Sequence, residues 1–157
     1  FYTRLAGDLV FRNSTEYGEA HGQNARGVPP SERFYLGGPN NMKGFNFFSV
    51  GPTRRKTNSQ GEVVLVPVGG NYEFYSLFEL EHPIVREAGL KLVVFYDIGN
   101  VYASRPELSN IKLRQDAGFG FRWFSPIGPL RFEWGFPINK KPEDDNSVFQ
   151  FFIGPPF

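Results

Sequence analysis

Apolar and polar residues alternate with period two along most of this chain, which predicts strands with two differently solvated faces. Over Leu90–Val101 one face carries Leu90, Leu92, Val94, Tyr96 and Ile98, and the other Lys91, Val93, Phe95, Asp97 and Gly99. From Ile111, one face holds Ile111, Leu113, Gln115, Ala117, Phe119, Phe121 and Trp123, opposite Lys112, Arg114, Asp116, Gly118, Gly120 and Arg122. Leu130, Phe132, Trp134 and Phe136 then alternate with Arg131, Glu133, Gly135 and Pro137. Between Tyr72 and His82 the large apolar residues oppose Glu73, Glu79 and Glu81. A weaker alternation covers residues 4–12, and a last one covers Phe149 to Gly154. The pattern predicts six strands and no helix.

Ser125-Pro126-Ile127-Gly128-Pro129 reads as a tight reversal, since proline presets φ and glycine admits the positive φ a turn needs. Asn139–Asn146 and Tyr102–Asn110 read as polar connections. The stretch from about Gly22 to Gly70 is different. It is long, rich in Gly, Pro, Asn and Arg, and holds the basic run Arg54-Arg55-Lys56. A loop that long is usually functional or disordered.

The apolar face is aromatic. Phe, Trp and Tyr make up 17% of the 157 residues, with 18 Phe, although hydrophobics reach only 40%. No run approaches the ~18 apolar residues of a spanning helix, but a spanning strand needs only ~9–11 residues with every second one apolar. A soluble sandwich also alternates, but it would have to pack these rings into a narrow interior. A membrane barrel puts large residues outside and small or charged ones inside. Tyr72, Tyr96, Tyr102, Trp123 and Trp134 lie near or towards strand ends, where amphipathic rings favour the membrane interface. Phe157 ends the chain at the parity of Phe149, Phe151 and Ile153, which in a soluble protein would be an exposed sticky edge. An antiparallel transmembrane β-barrel is therefore predicted. Six strands cannot close one, so the chain is expected to be a fragment of a larger barrel, or part of an assembly that supplies more strands.

Charge and candidate chemistry narrow the function. A net charge of +1, from 17 basic and 16 acidic residues, gives no reason to expect nucleic acid. Without cysteine there is no disulfide framework or thiolate metal site. The chain opens on Phe1-Tyr2-Thr3-Arg4, as expected of a mature chain or a fragment. Glu143-Asp144-Asp145 lacks the spaced ligands of a calcium loop and reads as a solvated turn. His21 and His82 have no metal-ligand spacing, and Ser125 has no nearby histidine to serve as base. No enzyme, metal or other cofactor is predicted. Arg114, Asp116, Arg122, Arg131 and Glu133 read as solvated wall of the barrel lumen.

Five motifs in order then carry a resemblance over essentially the whole chain. Phe34-Tyr35-Leu36-Gly37-Gly38-Pro39-Asn40-Asn41-Met42-Lys43-Gly44-Phe45 resembles the F-x-x-G-G-x-x-x-x-R-G-F loop motif of the BamA family of outer-membrane assembly factors, within the bacterial surface antigens. Leu77-Phe78-Glu79-Leu80-Glu81-His82-Pro83 is similar to that family's glutamate-bearing strand, and Phe95-Tyr96-Asp97-Ile98-Gly99-Asn100-Val101 to its aspartate strand. Gly118–Leu130 resembles its best-marked hairpin, and Phe149–Phe157 its closing strand. The resemblance implies a sixteen-stranded barrel, of which residues 1–157 supply the last six strands and a loop at about 22–70 that folds into the lumen. It also implies an ion pair between loop and wall, here Lys43 with Glu79 and Asp97, the loop tip continuing through Gly44 and Phe45. Lysine stands where the family has arginine, which trades a planar fork for a mobile point charge.

By the same resemblance, the function is assembly and insertion of β-barrel proteins into the bacterial outer membrane. The partners it implies are outer-membrane lipid, unfolded outer-membrane protein clients and accessory lipoproteins. A polypeptide secretion pore of the same superfamily, a small adhesion or structural barrel, and a soluble β-domain for an apolar ligand are the competing readings. The closing strand, with Phe149, Phe151, Ile153 and Phe157, belongs to a seam the family is thought to open. Pro155 and Pro156 cannot donate to a ladder, so pairing is expected to fade after about Gly154.

Overall fold

The structure, a computed structural model, describes residues 1–22, 27–107, 111–126 and 128–154. Among these residues nine strands form two sheets: β1 (Tyr2–Ala6), β2 (Leu9–Glu19), β3 (Thr53–Thr57), β4 (Val63–Pro67), β5 (Tyr72–Val85), β6 (Leu90–Tyr102), β7 (Arg114–Ser125), β8 (Gly128–Pro137) and β9 (Val148–Ile153). Seven make one antiparallel sheet in the order β1-β2-β5-β6-β7-β8-β9, with β3 and β4 paired as a separate hairpin.

The principal sheet thus has seven strands where alternation predicts six. The weak first segment folds back on itself at Gly7, whose φ of 56° suits the reversal between β1 and β2. Its poor alternation reflects a turn in its middle. The stretch expected to be an unstructured loop also has internal order. It holds the β3–β4 hairpin, a 3-10 turn over Pro30–Glu32, and isolated bridges from Phe34 to Gly70 and from Leu36 to Val50.

Connections at one end of the large sheet are tight turns after Ala6, Val85 and Ser125, and the long connections all lie at the other end. That asymmetry is characteristic of outer-membrane barrels. The sheet's two faces differ as the parity predicts. Phe119, Trp123, Phe136, Phe149, Phe151 and Ile153 are exposed on the outer face. Aromatic pairs run across the strands there, with Phe119 to Trp134 at 5.7 Å, Trp134 to Phe149 at 4.7 Å and Phe132 to Phe151 at 5.0 Å between ring centroids. Such cross-strand pairs fix register on a face with no core to pack against.

The inner face is covered by the long loop. Leu36, Met42, Phe45 and Val50 of the loop form a buried cluster with Val101 of β6, and Phe34 and Tyr75 pack against it. Phe157 and the two prolines before it lie outside the described residues. Up to that point β9 pairs with β8 from Gly135↔Val148 to Leu130↔Ile153, and the Gly154 amide donates to the Pro129 carbonyl at 2.9 Å.

Candidate functional site: the loop seated on the inner wall

The wall beneath the loop tip is set by register. Glu79, Phe95, Gly118 and Gly135 are successive partners across β5, β6, β7 and β8. Two glycines in that row leave a trough, and the Phe95 ring lies over one of them: a β-carbon on Gly118 would sit 2.4 Å from its Cζ. The neighbouring row pairs Leu77 with Asp97 and Asp97 with Asp116. The row on the other side runs Glu81, Val93, Gly120, Glu133 and Gln150.

Lys43 enters this trough and is fully buried. Its Nζ lies 3.0 Å from both carboxylate oxygens of Asp97 and 3.2 Å from Glu79 Oε1, and 4.6 Å above the centre of the Phe95 ring. Its backbone N–H also donates to Asp97 Oδ2 at 3.2 Å, so Asp97 holds both main chain and side chain. Burial alone would lower the lysine pKa, but the charges of Asp97, Glu79 and Glu133 outweigh it and raise the pKa above its ordinary value. Gly44 lies between Asp116 and Gly135 with no room for a side chain. Phe45 is buried next to it, with the Arg114 guanidinium 4.6 Å above its ring. The structure therefore brings Lys43, Gly44, Phe45, Glu79 and Asp97 into one place. Phe149, Phe151 and Ile153 lie apart from it on the outer face of β9.

Arg114, Asp116, Arg122, Arg131 and Glu133 are not the solvated wall expected of them. All five are buried. Arg122 donates to both oxygens of Glu79 at 2.7 and 2.8 Å, to Glu81 at 2.5 Å and to Glu133 at 3.0 Å. Arg131 donates to Glu133 at 3.1 Å, to Asn40 Oδ1 at 3.3 Å and to the Pro39 carbonyl, which ties the loop to β8. Arg114 pairs with Asp144 in the turn before β9, part of the Glu143-Asp144-Asp145 run. The reason for the difference is the loop. Once it fills the inner face, water is excluded, and buried charges persist only when paired and hydrogen-bonded. Asp116 differs in its neighbour: it is fully buried directly opposite Asp97, carboxyl beside carboxyl, with Gly44 packed against it.

Gln150 was not singled out by the sequence pattern. Its Nε2 donates to the Lys43 carbonyl at 2.8 Å and to the Phe45 carbonyl at 3.2 Å. Its polar parity between Phe149 and Phe151 was the one available signal. Among the described residues there is no group of acidic or histidine side chains arranged to hold a metal ion.

The site is thus an antiparallel sheet with an aromatic outer face and a loop pinned by charge to its inner face. The Omp85 superfamily domain matches residues 1–157. The chain belongs to that superfamily. Among Omp85 relatives, it is 30% identical over 156 residues to the outer membrane protein assembly factor BamA of Nitratidesulfovibrio vulgaris, covering 98% of this chain and 19% of that protein. It is 30% identical over 157 residues to the BamA of Neisseria meningitidis serogroup B, covering 83% of this chain and 19% of that protein. The chain thus spans about a fifth of the length of these curated relatives. The crystal structure of BamA from Haemophilus ducreyi lacking POTRA domains 1-3 superposes with a TM-score of 0.62 at 24% identity, over 91% of this chain and 34% of that one, a likeness of fold. The all-β partial barrel expected from alternation and the outer-membrane location both stand on these findings.

Proposed function

We propose that this chain is the C-terminal wall of a barrel that assembles and inserts β-barrel proteins into the outer membrane, its lumen occupied by the long loop. The observation that carries this reading is the Lys43 ion pair with Asp97 and Glu79. It fixes the loop tip against the wall with all three side chains out of water. An insertase of this kind has no bond to break. Its work is to hold one wall rigid while another edge of the barrel accepts a strand.

The rigid wall is β5 to β8, cross-linked by Arg122 and covered by the loop. The yielding edge is β9, which has 6 residues against the 14 of β5 and 13 of β6. An unpaired strand edge is a template for β-augmentation, and unfolded outer-membrane proteins are the clients whose strands would add there. Outer-membrane lipid contacts the aromatic outer face. Accessory lipoproteins complete the proposed partnership.

The test is reconstitution of the full-length protein in lipid vesicles with an unfolded barrel client. Lys43→Met should abolish or strongly slow client insertion while the barrel itself remains folded. Normal client insertion by the folded variant would defeat the proposal. Failure of the wild type to insert clients, with passage of unfolded chains across the vesicle, would assign the barrel to secretion instead.

A further inference from the structure

The Gln150 side-chain amide reaches from β9 to the loop tip, where it binds the carbonyls on either side of Gly44. Gln150 is buried, sits opposite Glu133 in the β8–β9 ladder, and belongs to a strand of 6 residues at one edge of the large sheet. The turn before β9 is held separately, by Asn46 donating to Asp145 at 2.7 Å.

We propose that Gln150 is a positioning residue that latches the closing strand to the inserted loop, so that loop seating and β9 alignment rise and fall together. This rests on the reading above, in which β9 is the yielding edge.

The chemistry suits the task. Residues 43–45 are in no strand, so their carbonyls have no ladder partner, and a buried carbonyl without a donor is costly. A neutral primary amide offers two N–H donors at once. It adds no charge to a site already crowded with Arg122, Arg131, Lys43 and their carboxylates. If β9 swings away, the Lys43 and Phe45 carbonyls lose this donor. If the loop withdraws, the Gln150 amide is stranded. Coupling of this kind is reciprocal by thermodynamic necessity.

Hydrogen exchange on the full-length barrel in lipid vesicles, without client, tests the latch. Gln150→Met keeps the length and removes the donors. It should speed exchange of the β9 amides about tenfold, the scale set by losing two buried hydrogen bonds. Lys43→Met should do the same by unseating the loop. The double variant should be no faster than the faster single, because an unseated loop leaves nothing for Gln150 to hold. Additive effects, or unchanged β9 exchange in folded Gln150→Met, would overturn the proposal.

A second arm needs no variant. In wild type under rising urea, β9 and residues 43–45 should lose protection at one midpoint. Release of β9 while the loop tip stays protected would equally overturn it. Because no client is present, these outcomes are independent of whether the barrel inserts clients or secretes chains.

Discussion

Gly44 of the loop and Gly135 of β8 touch backbone to backbone: a β-carbon on Gly135 would lie 2.4 Å from the Gly44 Cα and 2.6 Å from its nitrogen. Neither main chain can yield cheaply, since Gly135 is in a ladder and Gly44 is backed by Asp116. Gly135→Ala should therefore lift the loop tip and cost about 1–3 kcal/mol or more, the range for overpacking a tight site. Urea unfolding of the intact barrel would show the lowered midpoint. Trypsin should also cut sooner at the exposed Arg54-Arg55-Lys56 strand. An unaltered midpoint together with an unaltered cleavage rate would mean the loop does not seat here.

Removing the lysine charge should cost more. In Lys43→Met, Asp97 and Glu79 remain buried, and Asp97 loses both its ammonium contacts. Breaking a buried pair from one side typically costs 3–5 kcal/mol. The measurement is the unfolding midpoint of the variant against wild type, and a loss below about 1 kcal/mol, the level of a surface pair, would contradict the buried geometry.

Asp116 should respond in the opposite direction. It is fully buried, faces Asp97 directly across β6–β7, and has Gly44 packed against it. Two carboxyl groups opposite one another in a dry site are destabilising whenever both are charged. Asp116→Asn keeps the shape and should raise the unfolding midpoint at neutral pH, by roughly 1 kcal/mol. A lowered midpoint would show that the carboxylate itself is required.

Arg122 tests geometry rather than charge. It reaches Glu79, Glu81 and Glu133 from one guanidinium, two of those contacts being the parallel pair to Glu79. Lysine has no planar fork, so Arg122→Lys should cost about 1.5–3 kcal/mol, the worth of charged hydrogen bonds, although the net charge is unchanged. Equal stability of the two proteins in thermal or urea unfolding would show that only the charge is needed.

The outer face makes its own prediction. Phe119 is exposed in mid-strand between Gly118 and Gly120, stacked on Trp134 and Phe136. Phe119→Arg should destabilise the barrel in phospholipid vesicles by about 2–4 kcal/mol, as for a cation at the bilayer midplane. A neutral effect in vesicles would place this face away from lipid.

Much of the fold was legible in the sequence because a strand's two faces follow directly from residue parity. Alternation alone separated the exposed Phe119, Trp123, Phe149 and Phe151 from the inward Asp97, Arg122 and Glu133, and period two leaves no other arrangement once a strand is formed. Strand number was less legible at β1 and β2, where a reversal at Gly7 interrupts the pattern. The family's ordered motifs pointed to Lys43, Glu79 and Asp97, but composition and spacing do not say that an ammonium 36 residues before one carboxylate meets it in a dry trough. Register decided that, by aligning Glu79, Phe95, Gly118 and Gly135 across four strands. The seated loop decided the rest. By excluding water from the inner face it turned residues that read as solvated wall into a buried network, and it gave Gln150 two carbonyls to bind. Which side of a strand a residue faces is local, and the sequence by itself determined it. What that residue meets there depends on chain more than 100 residues away, and only the tertiary structure could supply it.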